Sequence, residues 1–110
     1  MVLRAAGPVF SAGADLGKQQ KPPRRFFQAA TITRLANLPQ PVIPAVHGPC
    51  FTGGLELVLC CDLVIAAQSA KLGDAHANYG LIPGAGGSVR LPRKIGPTRA
   101  KYLMYTGEFW

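Results

Sequence analysis

The chain has 110 residues, 48% of them hydrophobic and 15% charged, and a net charge of +7. This balance is typical of one globular domain and excludes a disordered chain, and no charge-free stretch of about 18 apolar residues exists to cross a membrane. The 13 glycines and 10 prolines follow no period, which excludes collagen and indicates many tight turns.

The first half of the chain predicts a strand, a helix and a second strand. Residues 2–4 predict the end of a short strand, and the polar, basic residues 17–25 predict a loop. Apolar residues near helical spacing predict a helix over 26–38. Its apolar face is predicted to hold Phe27, Ala30, Ile32, Leu35 and Leu38. Residues 42–46 predict a buried strand, in which Pro44 indicates a sheet edge or the end of a pairing.

The second half predicts a buried helix, two more strands and two closing helices. The segments are, in order, a turn at 47–49, a helix opening at 52–54 and running to about 61, a core strand at 63–67, a strand at 71–73, an irregular or single-turn segment at 74–79, and helices at 88–95 and 98–105. The first of these helices is apolar almost all round, which indicates burial. Strands that alternate with helices predict an α/β fold.

The positive charge predicts an anionic partner, and nucleic acid is the first candidate. Except for Phe26 and Phe27 after Arg24 and Arg25, the basic residues are not interleaved with aromatic residues, and no nucleic-acid-binding motif is present, so nucleic acid is disfavoured. Two basic clusters remain, which indicate either a solvated surface or a site for a small phosphorylated ligand. They are Lys18, Lys21, Arg24 and Arg25, and then Arg90, Arg93, Lys94, Arg99 and Lys101.

The three cysteines predict free, buried thiols. Their number is odd, and Cys60 and Cys61 are neighbours in an apolar run, where cysteine behaves as a small hydrophobe. A reducing, cytoplasmic compartment is the corresponding prediction. No metal site is predicted, because His47 and His76 are far apart and lack paired cysteines.

Three segments hold small residues that apolar packing does not require, at 12–15, 53–54 and 84–87. Small residues let a ligand approach backbone N–H groups, and the unpaired N–H groups at a helix start favour an anion or an oxyanion. The alternative is that each segment, taken alone, is an ordinary turn. The last is no P-loop, since no Lys-Ser/Thr pair follows Gly87, and its spacing does not fit a dinucleotide fingerprint.

Together, and in their order, these motifs resemble the enoyl-CoA hydratase/isomerase (crotonase) family over nearly the whole chain. The matching stretches are residues 10–16, 40–48, 53–57 with 61–62, 80–87, 90–93 and 106–107. The resemblance implies an α/β fold with the ββα-type core of the ClpP/crotonase spiral. It also implies that residues 1–110 are a partial domain, without the family's N-terminal strands and C-terminal helices, and marginally stable alone. The full family form is expected to be a homotrimer or hexamer.

The resemblance implies an acyl-CoA substrate, with CoA arriving as part of it and with no separate cofactor. The backbone N–H groups of Ala14 and Gly53 would form an oxyanion hole for an enolate. Ala12 matches the position that contacts the adenine of CoA, whereas the family's basic position falls one residue before Lys18. The substrate-binding residues implied are Ala12, Gly13, Asp15, Lys18 and Gly54.

Two glutamates of the family's hydratases map onto Glu56 and His76. Hydration needs one group that activates water and another that delivers a proton. Glu56 would be the general acid/base, and its alternative is a helix N-terminal acid that interacts with the dipole. His76 departs from the family's glutamate, but histidine exchanges protons near neutral pH, and Asp74 is close enough in sequence to orient it. The alternative for His76 is a loop histidine without a role.

The predicted function is hydration of a 2-enoyl-CoA thioester through an oxyanion-stabilised enolate, in fatty acid metabolism. Other family reactions with the same intermediate are the alternatives: isomerisation, decarboxylation or thioester hydrolysis. Isomerisation is disfavoured, because the family's isomerases rely on an acid where this chain has His76. A catalytically silent fragment that binds acyl-CoA is the non-enzymatic alternative.

Overall fold

The computed structural model describes residues 1–14 and 23–110, with side chains in the first helix from Ala29 onward. The strands are β1 (Val2–Leu3), β2 (Ile43–Val46), β3 (Pro49–Phe51), β4 (Ile65–Ala66) and β5 (Lys71–Gly73). The helices are α1 (Pro23–Ala36), α2 (Gly53–Leu59), α3 (Gly87–Ile95) and α4 (Pro97–Thr106), with a 3-10 turn at His76–Tyr79. None of the helices in these ranges combines the length and the hydropathy needed to span a bilayer. The order agrees with the predicted α/β alternation, and α3, α4 and the single turn lie where they were predicted.

The first sheet is parallel and has the order β1-β2-β4. An edge position for Pro44 is therefore wrong, because β2 lies between two neighbours. The N–H of Ile43 donates to the Met1 carbonyl on the β1 side, so the nitrogen of Pro44 faces the β4 side. Pairing with β4 begins one residue later, at Ala45. The proline thus marks the end of a pairing, as the alternative prediction stated.

The second sheet pairs β3 with β5 in parallel, and the prediction of a turn at 47–49 misses the start of β3. On the free side of β3, Ser11 forms a parallel bridge with Cys50. On the free side of β5, Leu72 and Trp110 exchange backbone hydrogen bonds. A strand that contains a proline and follows Gly48 looks like a turn locally, and only these distant partners make it a strand.

Helix α2 is the centre of the core, as predicted from its apolar surface. Its residues contribute to two of three buried clusters, and the two cysteines that follow it contribute to the third. Leu55 and Leu59 pack against α3 and α4, whereas Val58 packs beside β2 and β3. All three cysteines are free and buried, which confirms that prediction. This burial fixes the position of the residues at the start of α2.

Two further predictions differ from the structure. Helix α1 begins at Pro23, so residues 23–25 of the predicted loop are helical, and residues 17–22 lie outside the described residues. On the predicted apolar face Ile32 is buried whereas Ala30 and Leu38 are exposed, and the side chain of Phe27 is not described. Strand β4 has two residues instead of five, and Leu63, Val64 and Ile65 are exposed instead of forming core. An apolar run predicts burial only if another element covers it, and no described element packs over this one.

Candidate active site

The segment at Ala12–Ala14 reaches the start of α2 through its pairing with β3. The Phe51 N–H donates to the Ser11 carbonyl at 2.9 Å, and the Thr52 hydroxyl donates to the Ala12 carbonyl, also at 2.9 Å. Thr52 has a positive φ of 51°, which is uncommon for a non-glycine residue. The backbone therefore turns sharply from β3 into α2 directly beside the 12–14 segment.

Gly13 and Gly53 are in close backbone contact at this turn. A Cβ atom on Gly13, whose φ is +91°, would lie 2.9 Å from the Gly53 nitrogen. A Cβ atom on Gly53 would lie 3.6 Å from the Ala14 nitrogen. The Gly53 N–H is the first of α2 and has no partner within the helix. No described residue accepts a hydrogen bond from the Ala14 or Gly53 N–H, so these two neighbouring donors have no partner within the described part of the chain.

Glu56 lies one turn after Gly53 and is only 3% exposed. Its Oε1 accepts hydrogen bonds from the Ala85 and Gly87 N–H groups, each at 2.9 Å. A Cβ atom on Gly87 would lie 2.9 Å from the same oxygen, so the loop needs a glycine there to approach so closely. The glycine-rich segment 84–87 thus holds the carboxylate by one oxygen and leaves Oε2 to face other groups.

His76 presents its ring to that second oxygen, with Nε2 3.8 Å from Oε2 of Glu56. The other ring nitrogen, Nδ1, lies 2.6 Å from Oδ1 of Asp74, and the His76 backbone N–H donates to the same oxygen at 3.1 Å. Asp74 is 1% exposed. The structure therefore joins the two predicted acid/base residues in one row of Asp74, His76 and Glu56.

The other predicted site residues are placed in different ways. Ala12 and Gly13 are exposed beside the turn into α2. Gly54 is buried, and a Cβ atom there would lie 2.7 Å from the Ser11 side chain, so packing alone already requires a glycine. Asp15 and Lys18 lie outside the described residues. Ligand roles for these residues stay predictions.

The second basic cluster lies partly along a groove of about 340 Å³ between α1 and α3. Arg90 and Arg93 line it, and Arg90 also donates to the Ala85 carbonyl at 3.4 Å. Lys94 instead donates to the Cys61 carbonyl beyond the end of α2. Of the first cluster, Lys18 and Lys21 lie outside the described residues, and the side chains of Arg24 and Arg25 are not described.

Sequence reasoning missed three groups that shape this site. Thr52 fixes the 12–14 segment, and the amides of Ala85 and Gly87 bind Glu56. The glycine spacing at 84–87 was the available signal for the amides, because it indicates close backbone approach. No local pattern indicated that this loop lies against a helix 30 residues earlier.

Comparison with known proteins gives matches to the same family that the sequence motifs resemble. The family described as Enoyl-CoA hydratase/isomerase matches residues 1–109. Among relatives, the enoyl-CoA isomerase/hydratase fer4 of Mycosarcoma maydis is 45% identical over 97% of this chain. The mitochondrial methylglutaconyl-CoA hydratase of Homo sapiens is 42% identical over 98% of it. Among solved structures, an enoyl-CoA hydratase from Bacillus anthracis is 44% identical over 98% of this chain, with a TM-score of 0.91.

These relatives are longer than the chain. It covers 42% of the Mycosarcoma maydis protein, 34% of the human protein and 45% of the Bacillus anthracis structure. The chain therefore spans less than half the length of the relatives it matches. The activities of those whole proteins are therefore assigned to this chain only as a proposal.

Proposed function

The chain belongs to the enoyl-CoA hydratase/isomerase family and has its crotonase fold, and from this we propose that it adds water to a 2-enoyl-CoA thioester. The observation that carries the proposal is the facing pair of Glu56 Oε2 and His76 Nε2, 3.8 Å apart. Glu56 lies one turn of α2 after Gly53, whose N–H neighbours that of Ala14. The proposed proton-exchanging groups and the proposed oxyanion donors thus lie around the first turn of α2.

The pair is spaced to hold a water molecule. Two acceptors 3.8 Å apart can both lie about 2.8 Å from one water oxygen, which then donates a proton to each. Such a water keeps its lone pairs free to attack carbon. Oε1 of Glu56 is occupied by two backbone donors, so Oε2 is the oxygen available for this contact.

The proposed reaction balances without a further reactant. The water oxygen bonds to C3 of the enoyl group while one water proton passes to the pair. The C2–C3 π electrons move toward the thioester oxygen, where the Ala14 and Gly53 N–H groups stabilise the enolate charge. The proton then moves from the pair to C2, which restores the thioester carbonyl and leaves a 3-hydroxyacyl-CoA.

The remaining parts of the substrate are proposed to bind as the family resemblance implies. The CoA portion is proposed to lie along Ala12 and Gly13, with Gly54, Asp15 and Lys18 as further contacts and no separate cofactor. Assembly as a homotrimer or hexamer in the full-length form is part of the proposal. The human relative is named mitochondrial, so a cytoplasmic location for this chain stays a prediction.

Isomerisation, decarboxylation and thioester hydrolysis use the same oxyanion donors and are the alternative reactions. The Mycosarcoma maydis relative carries both isomerase and hydratase in its name. Hydration is favoured here because two acceptors, Glu56 and His76, lie close enough together to contact one water molecule. A silent acyl-CoA-binding fragment would need neither of them.

Hydration of crotonyl-CoA, followed by loss of the enoyl-thioester absorbance, tests the proposal. Glu56→Gln keeps an oxygen that can accept from Ala85 and Gly87 but removes the proton-exchanging carboxylate, so turnover is expected to fall by about 10²-fold or more. Glu108→Gln is the matched control, since the exposed side chain of Glu108 accepts only the Tyr102 hydroxyl among the described contacts. Acyl-CoA binding without turnover in the wild type would contradict hydration and support the silent fragment.

A further inference from the structure

We propose that Asp74 is a positioning residue that holds neutral His76 in the tautomer with hydrogen on Nδ1, so that a bare Nε2 faces Glu56. Its consequence for turnover rests on the proposed hydration. The tautomer itself does not, because it follows from contacts within this chain. Neither Asp74 nor the tautomer is part of the two-acid scheme that the family resemblance supplied.

The contacts of Asp74 determine where the ring proton lies. Its Oδ1 receives both the His76 backbone N–H, at 3.1 Å, and the ring Nδ1, at 2.6 Å. A carboxylate accepts hydrogen bonds and does not donate them, so Nδ1 must carry the hydrogen. In a neutral imidazole the other nitrogen then has a free lone pair. Nε2 is that nitrogen, and it points toward Glu56.

Asp74 is also well anchored. It is buried, and the carbonyl of Gly73 beside it accepts a hydrogen bond from the Thr52 N–H at 3.0 Å. The same Thr52 leads directly into α2. The aspartate is therefore tied to the helix that carries Glu56, and ring rotation of His76 would break the 2.6 Å contact.

This arrangement suits a base that accepts a proton from water. When Nε2 takes the proton, the imidazolium formed has Asp74 at Nδ1 and Glu56 at Nε2. Both neighbours are carboxylates, so each N–H of that ring faces a hydrogen-bond acceptor. With the opposite tautomer, Nε2 would already carry hydrogen and could not accept.

His47 provides an internal reference, because its contact favours the opposite tautomer. Its Nε2 lies 2.8 Å from the Gly7 carbonyl oxygen, which can only accept, so the hydrogen of neutral His47 is on Nε2. The chain has two histidines in all. One sample therefore contains both tautomers, each with a resonance pattern of its own.

The direct test is ¹⁵N NMR of the imidazole nitrogens in the wild-type chain without substrate, above the pH at which the rings lose their charge. The expected result is an Nδ1-protonated ring for His76 and an Nε2-protonated ring for His47, with His47→Asn used for assignment. An Nε2-protonated His76, or rapid averaging of both tautomers, would overturn the proposal. No activity is needed, so this result is independent of whether the chain hydrates enoyl-CoA.

Asp74→Asn tests the catalytic consequence in an active protein. The amide offers a donor as well as an acceptor to Nδ1, so the Nε2-protonated fraction is expected to rise and kcat to fall by about 10²-fold. KM is expected to stay within about twofold, since Asp74 is only 1% exposed and is not among the proposed substrate contacts. Asp62→Asn is the control, because in the described part of the chain the Asp62 carboxylate accepts only the Val42 N–H, at 2.8 Å, and contacts no histidine.

The outcomes separate the two proposals. An unchanged kcat in a folded Asp74→Asn chain would overturn the positioning role. A fall in kcat that Asp62→Asn reproduces would assign the effect to lost charge or stability and overturn it as well. The expected tautomer in a wild-type chain that lacks hydratase activity would leave the positioning intact and reject the proposed function.

Discussion

Gly13 and Gly53 touch through their backbones, so that a Cβ atom on Gly13 would lie 2.9 Å from the Gly53 nitrogen. Their distance in sequence is 40 residues, and the pairing of Ser11 with β3 brings them together. The contact also brings the Ala14 nitrogen close to Gly53, where a Cβ atom would lie 3.6 Å from it. The pair of donors thus depends on two residues that have no side chain.

Gly13→Ala is the first prediction. The new methyl group would push the Gly53 nitrogen away, and φ of +91° is strained for alanine. Misplacing one oxyanion donor is expected to lower kcat for crotonyl-CoA by about 10²-fold or more. The measurement is steady-state kinetics together with a thermal melt.

Gly7→Ala is the control that separates backbone strain from displacement of the Gly53 nitrogen. Gly7 also has a positive φ, +79°, but a Cβ atom there would meet nothing within 4 Å. We expect Gly7→Ala to lose about 1–2 kcal/mol of unfolding free energy from backbone strain alone, and Gly13→Ala to lose more because its methyl group also clashes. Turnover should be lost only in Gly13→Ala. Equal kinetics in the two variants would argue against an oxyanion hole at this position.

The second prediction concerns the loop that binds Glu56. A Cβ atom on Gly87 would lie 2.9 Å from Oε1, so Gly87→Ala is expected to shift the carboxylate away from His76. Because a small displacement of a reacting group is costly, kcat should fall by about 10²-fold. Gly84→Ala is the matched control in the same loop, since a Cβ atom there would meet nothing within 4 Å. Full activity of Gly87→Ala would mean that the loop does not position Glu56 for catalysis.

Much of the fold was predictable because its elements end at local signals. Gly96 and Pro97 separate α3 from α4, and Gly107 ends α4 in the left-handed conformation. The apolar surface of α2 indicated burial correctly. These features depend on residues within one turn of each other, which is the range that sequence patterns report.

The errors arose where distant residues decide. Pro49 begins a strand because β5 and Ser11 supply its partners, and Ile65 is exposed because no described element covers it. The candidate site likewise combines a contact that is local in sequence with contacts between distant residues. The spacing of Asp74 and His76 suggested their pairing, whereas the contact of Glu56 with residues 85 and 87 required the folded chain.

The third prediction uses the buried thiols as reporters of folding. Burial raises the pKa of the Cys50 thiol from 9.0 to about 12. The pKa of Cys61 is also raised from 9.0 to about 12, mainly because the thiol is buried and secondly because of the neighbouring Cys60. Three pKa units mean about 10³-fold less thiolate at pH 8, and the thiolate is the reactive form. Iodoacetamide at pH 8 should therefore label the native chain slowly and react with three thiols in urea.

Ser69→Cys provides the positive control, because residue 69 is exposed. Its added thiol should react within minutes in the native protein, while the other three stay protected. As pH rises toward 12 the buried thiols would ionise, so labelling of the native chain should accelerate only at strongly alkaline pH. Rapid reaction of all three thiols at pH 8 would show that the chain does not hold this core in solution.

The fourth prediction concerns the exposed apolar stretch at β4. Ile65 is 64% exposed, and in the sheet as described β4 has β2 on one side only. An unpaired apolar strand favours association with other chains, and a lysine on it opposes such pairing. Ile65→Lys is therefore expected to reduce concentration-dependent light scattering, with the unfolding free energy within about 0.5 kcal/mol of wild type. Ile82→Lys is the control, since Ile82 is 85% exposed but lies outside the strands, and it should reduce scattering less. A wild-type chain that melts cooperatively as a monomer at high concentration would reject both the association and the expected marginal stability.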